Sequence, residues 1–228
     1  MPTVTSKPPP GTRRRRRPLA RARKIADRLA AAYPGTASEL CALDHNDPFE
    51  LLVATILSAQ CTDERVNLVM PALLERYPTP QALAGADREE LEDLIRPTGF
   101  FRSKASHLIG ASEAIVMRHG GEVPRSMEEL TALPGVGRKT ANVVLSVAFG
   151  LPGLPVDTHV VRLSQRLGLT DSSDPDKIEQ DLCELFPPDE WGTISLRLIL
   201  HGRKVCTARR PHCEICELAD LCPSRGDF

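Results

Sequence analysis

Along most of its length the chain repeats apolar residues at the 3.6-residue period of helices buried on one face. Leu51-Leu52 with Ile56-Leu57, and Leu91 with Leu94 and Ile95, show the spacing most clearly. Several stretches open on a residue able to cap a helix: Asp47-Pro48 with Glu50 three past the cap, Thr79-Pro80, Asp87 with Glu90, and Asp174-Pro175. The capping oxygen accepts a backbone N–H that lacks an intrahelical partner, and proline at the first helical position loses no hydrogen bond. A helix from Ser103 through His119 is stopped by Gly120-Gly121. Ser126 and Glu129 form a capping-box pattern that starts a short helix reaching about Leu133. A further helix is predicted from Arg138 through Phe149, ending at Gly150. No alternating run argues for a strand and no internal repeat appears, so the pattern predicts an all-α fold. Aromatic residues are only 4% of the chain, which leaves Leu, Ala, Val and Ile to fill the core. Trp191 and the two tyrosines then read as core or boundary residues.

Between the last two of those helices lies Leu133-Pro134-Gly135-Val136-Gly137-Arg138-Lys139-Thr140. Gly135 and Gly137 permit backbone angles and close approaches that other residues resist, so the segment reads as a helix-hairpin-helix. Backbone N–H groups at such a helix N-terminus can hold a phosphate oxygen without reading a base, which makes Gly135, Gly137 and Arg138 candidate DNA contacts. Lys139 falls in the first turn of the helix. A solvated surface lysine is the ordinary reading, but the positive end of the helix dipole is an unfavourable place for a cation and a useful one for an amine nucleophile. Eighteen residues on, Asp157 precedes Thr158-His159. Asp157 suits the N-cap of a helix beginning near Thr158, and capping is compatible with a catalytic role. His159 reads as a structural residue or a phosphate contact.

Near the C-terminus, Cys206-x6-Cys213-x2-Cys216-x5-Cys222 places four of the seven cysteines within seventeen residues. The spacing alone fits either a four-cysteine zinc site or an iron–sulfur cluster. Disulfides are the weak alternative, because no secretory signal is evident and Cys41, Cys61 and Cys183 remain as an odd, dispersed set that reads as small buried residues. Between the first two cysteines of the group, Thr207 to His212 form a basic loop in which Arg209 and Arg210 can meet a phosphate backbone; solvated surface is the competing reading.

Composition refines this picture through the placement of charge. The 228 residues suggest one or two domains, and the formal net charge of −1 does not describe a generic nucleic-acid binder. Residues 1–24 carry nine basic residues and no acid, leaving 20 basic against 30 acidic residues in the remainder. So acidic a body must bind DNA through a local basic face. Residues 1–18 (Met1 to Pro18) are rich in Pro, Thr and Arg and are expected to be disordered, being unable to bury enough apolar surface to offset their ordering entropy. The tail lacks the apolar stretch of an export signal, and no apolar run approaches about 20 residues, so no membrane span is expected and the protein is placed in the cytoplasm.

The hairpin with Lys139 and Val156-Asp157-Thr158-His159 resembles the endonuclease III family of helix-hairpin-helix DNA glycosylases, as do Leu57-Ser58-Ala59-Gln60-Cys61-Thr62-Asp63 and Thr98-Gly99-Phe100-Phe101-Arg102-Ser103-Lys104-Ala105. The resemblance covers about Ala20 to Cys222. It implies two helical domains flanking a DNA cleft: a six-helix barrel with the hairpin at residues 41–150, and a discontinuous domain of residues 19–40 with 151–228. It also implies a [4Fe-4S] cluster on Cys206, Cys213, Cys216 and Cys222. The partner implied is duplex DNA carrying damaged bases or abasic sites, bound by a nucleoid-associated monomer. The implied activity is that of a bifunctional DNA glycosylase and AP lyase of base excision repair, removing oxidised pyrimidines. In that chemistry Gln60 fills the gap left by an extruded base and the Gly99-Phe100 loop wedges the opposite strand, Phe100 standing where relatives often carry Leu. Lys139 attacks the sugar C1′, Asp157 takes the amine proton, and the Schiff base cuts 3′ to the site by β-elimination.

Two other functions fit parts of the pattern. An adenine-mismatch glycosylase keeps the Asp and the cluster, but it usually lacks the lysine and is expected to carry a further C-terminal domain, whereas this chain stops six residues past Cys222. A non-catalytic DNA-binding module with a metal knuckle leaves the pairing of Lys139 with Asp157 unexplained. Thr131, before the hairpin, stands where relatives commonly carry an acid.

Overall fold

The capping residues read from the sequence do cap. In the computed structural model, which describes residues 12–227 and side chains from Leu19 onward, Asp47 Oδ1 accepts from the Glu50 N–H at 2.8 Å and Asp87 Oδ1 from that of Glu90 at 2.9 Å. Thr79 and Asp174 serve in the same way, at 3.2 Å to Ala82 and 2.9 Å to Asp176. Each such cap is worth about 1 kcal/mol of helix stability. The helices so started are α3 (Pro48–Leu57), α5 (Pro80–Ala84), α6 (Arg88–Ile95) and α11 (Pro175–Leu185). With α1 (Thr12–Ala32), α2 (Ala37–Leu40), α4 (Asp63–Arg76), α7 (Phe101–His119), α8 (Met127–Thr131), α9 (Arg138–Val143), α10 (Thr158–Arg166) and α12 (Trp191–Lys204) they form an all-α fold, with no strand among the described residues.

Two predicted boundaries differ most. Helix α1 begins at Thr12, so the expected disorder is corrected over Thr12 to Pro18, while residues 1–11 of that tail lie outside the described residues. Arginine is among the better helix formers, and lengthening an existing helix adds one hydrogen bond for each residue fixed. The helix predicted from Arg138 through Phe149 is α-helical only to Val143 and then widens into a π-turn, Val144–Ala148. There the Ser146 hydroxyl donates to the Asn142 carbonyl at 2.7 Å, and the Leu151 N–H returns to the Leu145 carbonyl at 2.9 Å. Such single-turn π-bulges interrupt α-helices, frequently near functional sites.

The buried residues fall into two clusters. One gathers α3 to the π-turn around Leu51, Leu52, Leu73, Leu91, Leu108 and Leu130. The other joins Ala22, Ile25, Ala26 and Leu29 on one face of α1 to Leu163, Leu182 and their neighbours in the C-terminal half. Helix α12 serves both: Leu196 lies in the first cluster, Ile194 and Leu198 in the second. Gly192 permits this, because a Cβ there would meet Ser146 Cβ at 2.6 Å. Surface pairs such as Arg23–Glu190 also tie α1 to the C-terminal half, but exposed pairs contribute about 1 kcal/mol or less while each buried Ile or Leu contributes about 2. The apolar face of α1 therefore dominates its docking. No helix among the described residues is long and apolar enough to cross a membrane.

Candidate active site

The hairpin turns tightly after α8, with the Val136 N–H donating to the Leu133 carbonyl at 3.1 Å and both of those side chains buried. Gly135 adopts φ +76°, and a Cβ there would meet His107 Cβ at 2.6 Å, so glycine is required on both counts. Gly137 differs from the sequence-based expectation. Its φ is −90°, open to any residue, and a Cβ there would meet nothing within 4 Å. What it provides is room: it is the N-cap of α9, no side chain caps it, and the first N–H groups of α9 have no intrahelical partner.

Lys139 is exposed at the second position of α9. Asp157 is half-buried at the N-cap of α10, where its Oδ1 accepts from His159 N–H at 2.8 Å and Val160 N–H at 2.9 Å. Both bonds fall on one oxygen. Among the described residues no hydrogen bond or ion pair engages Oδ2 or the Lys139 amine. The two residues line one pocket, whose wall includes Thr55, Ser58, Asp63, Leu200 and Arg203. The largely buried Asp63 carboxylate is paired there with Arg203 at 2.7 Å. Asp63 looks in sequence like an ordinary first-turn acid of α4, and nothing along the chain signals a partner at the far end of α12.

Gln60 and Phe100, expected to contact DNA, are both exposed. They are the two non-glycine residues with positive φ among the described residues, at 54° and 49°. Arg138 is engaged within the protein: its Nε and Nη2 form a two-pronged pair with the buried Glu179 at 2.8 and 2.7 Å, and Glu179 also accepts from Asn142 at 3.0 Å. This network joins the hairpin helix to α11, a link that spacing does not reveal. His159 Nδ1 lies 3.0 Å from Arg162 Nη2, and burial against α12 holds the imidazole below its ordinary pKa. Arg162 in turn donates to the carbonyls of Gly202 and Cys206 at 2.9 and 3.0 Å, so His159 belongs to the support of the C-terminal loop.

In that loop Arg166 donates to the carbonyls of Thr207 and Ala208, each at 2.9 Å, and the Thr207 hydroxyl donates to the Arg210 carbonyl at 2.7 Å. The backbone is fixed while the side chains of Arg209 and Arg210 stay exposed, with no ion pair among the described residues. Cys206, Cys213, Cys216 and Cys222 are all free thiols lining one cavity. A tetrahedral zinc–thiolate site needs sulfurs about 3.8 Å apart. Among the described residues the one trio of ligand atoms within 4.8 Å is His201, Cys216 and Glu217, which holds only one of the four. Four thiols lining one cavity are the donor set that a [4Fe-4S] cluster takes. Around it, His201 Nε2 lies 3.4 Å from Cys216 Sγ, with the Tyr33 hydroxyl 3.2 Å from His201 Nδ1, and Arg166 Nη1 donates to Cys206 Sγ at 3.3 Å.

Comparison with known proteins agrees with this geometry. Residues 53–188 match the HhH-GPD superfamily of base excision DNA repair proteins, and residues 206–222 match the iron–sulfur binding domain of endonuclease III. Endonuclease III of Synechocystis sp. is 59% identical over 205 residues, covering 90% of this chain and 92% of the relative. That of Bacillus subtilis is 47% identical over 183 residues, covering 80% and 84%. Two solved structures, a non-covalent endonuclease III–DNA complex and a trapped endonuclease III–DNA covalent intermediate with an estranged adenine, each align at TM-score 0.85 and 43% identity, covering 92% of this chain and 97% of theirs.

Proposed function

The chain belongs to the endonuclease III family and is a base excision repair DNA glycosylase and AP lyase carrying a [4Fe-4S] cluster; within that activity we propose that Lys139 is the amine nucleophile and Asp157 its proton acceptor. The observation that carries this assignment is the shared pocket, in which an unpaired amine and a carboxylate oxygen spared by its own capping bonds are brought together. A covalent DNA intermediate trapped for a 43%-identical relative supports it.

The target nucleotide leaves the stack, since its sugar cannot be reached within the duplex. Gln60 occupies the gap and Phe100 parts the opposite strand, while the N–H groups at the start of α9 hold a phosphate. The Lys139 nitrogen bonds to C1′ as the bond from C1′ to the base breaks, and the base departs with the electron pair. Asp157 accepts a proton from the amine, and its charge stabilises the positive charge developing on the sugar. Opening of the sugar ring leaves a protonated Schiff base, which acidifies C2′. Loss of a C2′ proton then expels the 3′ phosphate oxygen, and hydrolysis frees Lys139. Cys206, Cys213, Cys216 and Cys222 hold the cluster, which when bound anchors the loop bearing Arg209 and Arg210 against the DNA backbone. The substrate class is oxidised pyrimidine in duplex DNA, acted on by a monomer at the nucleoid. Residues 41–150 form one wall of the cleft, and residues 19–40 with 151–228 the other.

A duplex with 5,6-dihydroxylated thymine opposite adenine tests the substrate class. Base release with a cut 3′ to the site, ending in an unsaturated aldehyde, is expected, and undamaged adenine opposite guanine should be left intact. Release of the mispaired adenine without strand scission would contradict the reading.

A further inference from the structure

Lys104 is buried to 3% exposure on α7, an unusual setting for an ammonium. Its Nζ donates to the Leu57 carbonyl at 2.7 Å and to the Thr98 carbonyl at 2.8 Å. Among the described residues no carboxylate pairs with it, and burial pushes its pKa below the ordinary lysine value. A buried ammonium held by carbonyls alone is dearer than the methionine that would fill the same space.

The two carbonyls share a position in their elements. Leu57 ends α3, and Thr98 ends the 3-10 turn Arg96–Thr98. Carbonyls there lack an intrahelical donor and carry the negative end of the helix dipole, so a cation suits both. Each is followed at once by one of the strained turns, Ser58-Ala59-Gln60 in the first case and Gly99-Phe100 in the second. The backbone N–H of Lys104 also donates to the Phe100 carbonyl at 3.1 Å. Left-handed backbone at a non-glycine residue persists only where its surroundings over-determine it, and here one side chain fastens the segment leading into each.

We propose that Lys104 is a positioning residue that clamps the Gln60 turn to the Phe100 turn, holding the gap-filling and strand-parting side chains at the separation that an extruded nucleotide requires. This rests on the roles given above to Gln60 and Phe100. The clamp is made before DNA arrives, so binding need not order the two turns at the moment the base leaves. Lys104 touches no reacting atom; it acts through the two turns.

Lys104→Met removes the charge and donors while keeping the length of the side chain. Single-turnover base release is measured for wild type, Lys104→Met, Gln60→Ala and the double variant, with the same oxidised pyrimidine either correctly paired or mispaired, where unpairing costs less. Both single variants should lose about tenfold or more on the paired lesion and largely recover on the mispaired one, since only extrusion is impaired. The double variant should be no slower than the slower single, because the two residues act as one unit. Lys104→Met equal to wild type, or equally slow on both duplexes, would overturn the proposal while an impaired Gln60→Ala leaves the underlying reading standing. An unimpaired Gln60→Ala would instead overturn that reading, and the proposal with it. If the methionine variant does not fold, Lys104→Leu, which likewise removes the charge and the donors, is scored against the same outcomes.

Discussion

At Asp157 one carboxylate holds two positions at once. Oδ1 takes both capping hydrogen bonds of α10, Oδ2 takes none, and the residue lines a pocket with Lys139. Asparagine keeps an oxygen for the cap but neither the charge nor the proton acceptor. Asp157→Asn should therefore lower base release by about 10²-fold or more, as loss of a positioned acid–base group does, with little change in melting temperature. A large melting drop beside near-normal turnover would reduce the residue to a cap. The sequence showed the cap at Asp157 and admitted the proposed catalytic role beside it, because a capping oxygen and a catalytic carboxylate draw on the same residue type. It did not show how the oxygens divide them. Nor did it show that Arg138 is engaged by Glu179, or Asp63 by Arg203, since ion pairs between distant helices leave no trace in local spacing.

Among the elements, helix starts were the most legible feature, because a cap is a local matter of one oxygen and one N–H. The widening of α9 into a π-turn was hidden, since local spacing says nothing of the close approach of α12 to Ser146 at Gly192. The C-terminal loop lies between these cases. Its cysteine spacing was plain, its cluster was decided by family resemblance, and the gathering of the four thiols around one cavity agrees. With the loop backbone tied by Arg166 and its two arginines exposed, replacing both Arg209 and Arg210 by Ala should weaken binding to damaged and intact duplex alike. The slope of log K against log salt should flatten by roughly 1 to 2 if both neutralise phosphates. Iron content and the yellow-brown colour should not change, because neither arginine is a ligand. An unaltered slope would leave the loop as solvated surface.

Over the whole molecule, two cores meet along α12, and the pocket holding Lys139 and Asp157 lies where α9, α10 and α12 come together. Periodicity identified the helices but not this arrangement, because a helix pattern states which face is buried and not against what. The joining of α1 to the C-terminal half was available only through the family. The proposed reaction turns on the amine at the hairpin acting as the nucleophile. Borohydride reduction of the protein with a duplex containing an abasic site tests it directly. Wild type should form a stable covalent complex whose modified residue is Lys139, and Lys139→Ala should form none while still binding the duplex. Undiminished trapping by Lys139→Ala would contradict the assignment.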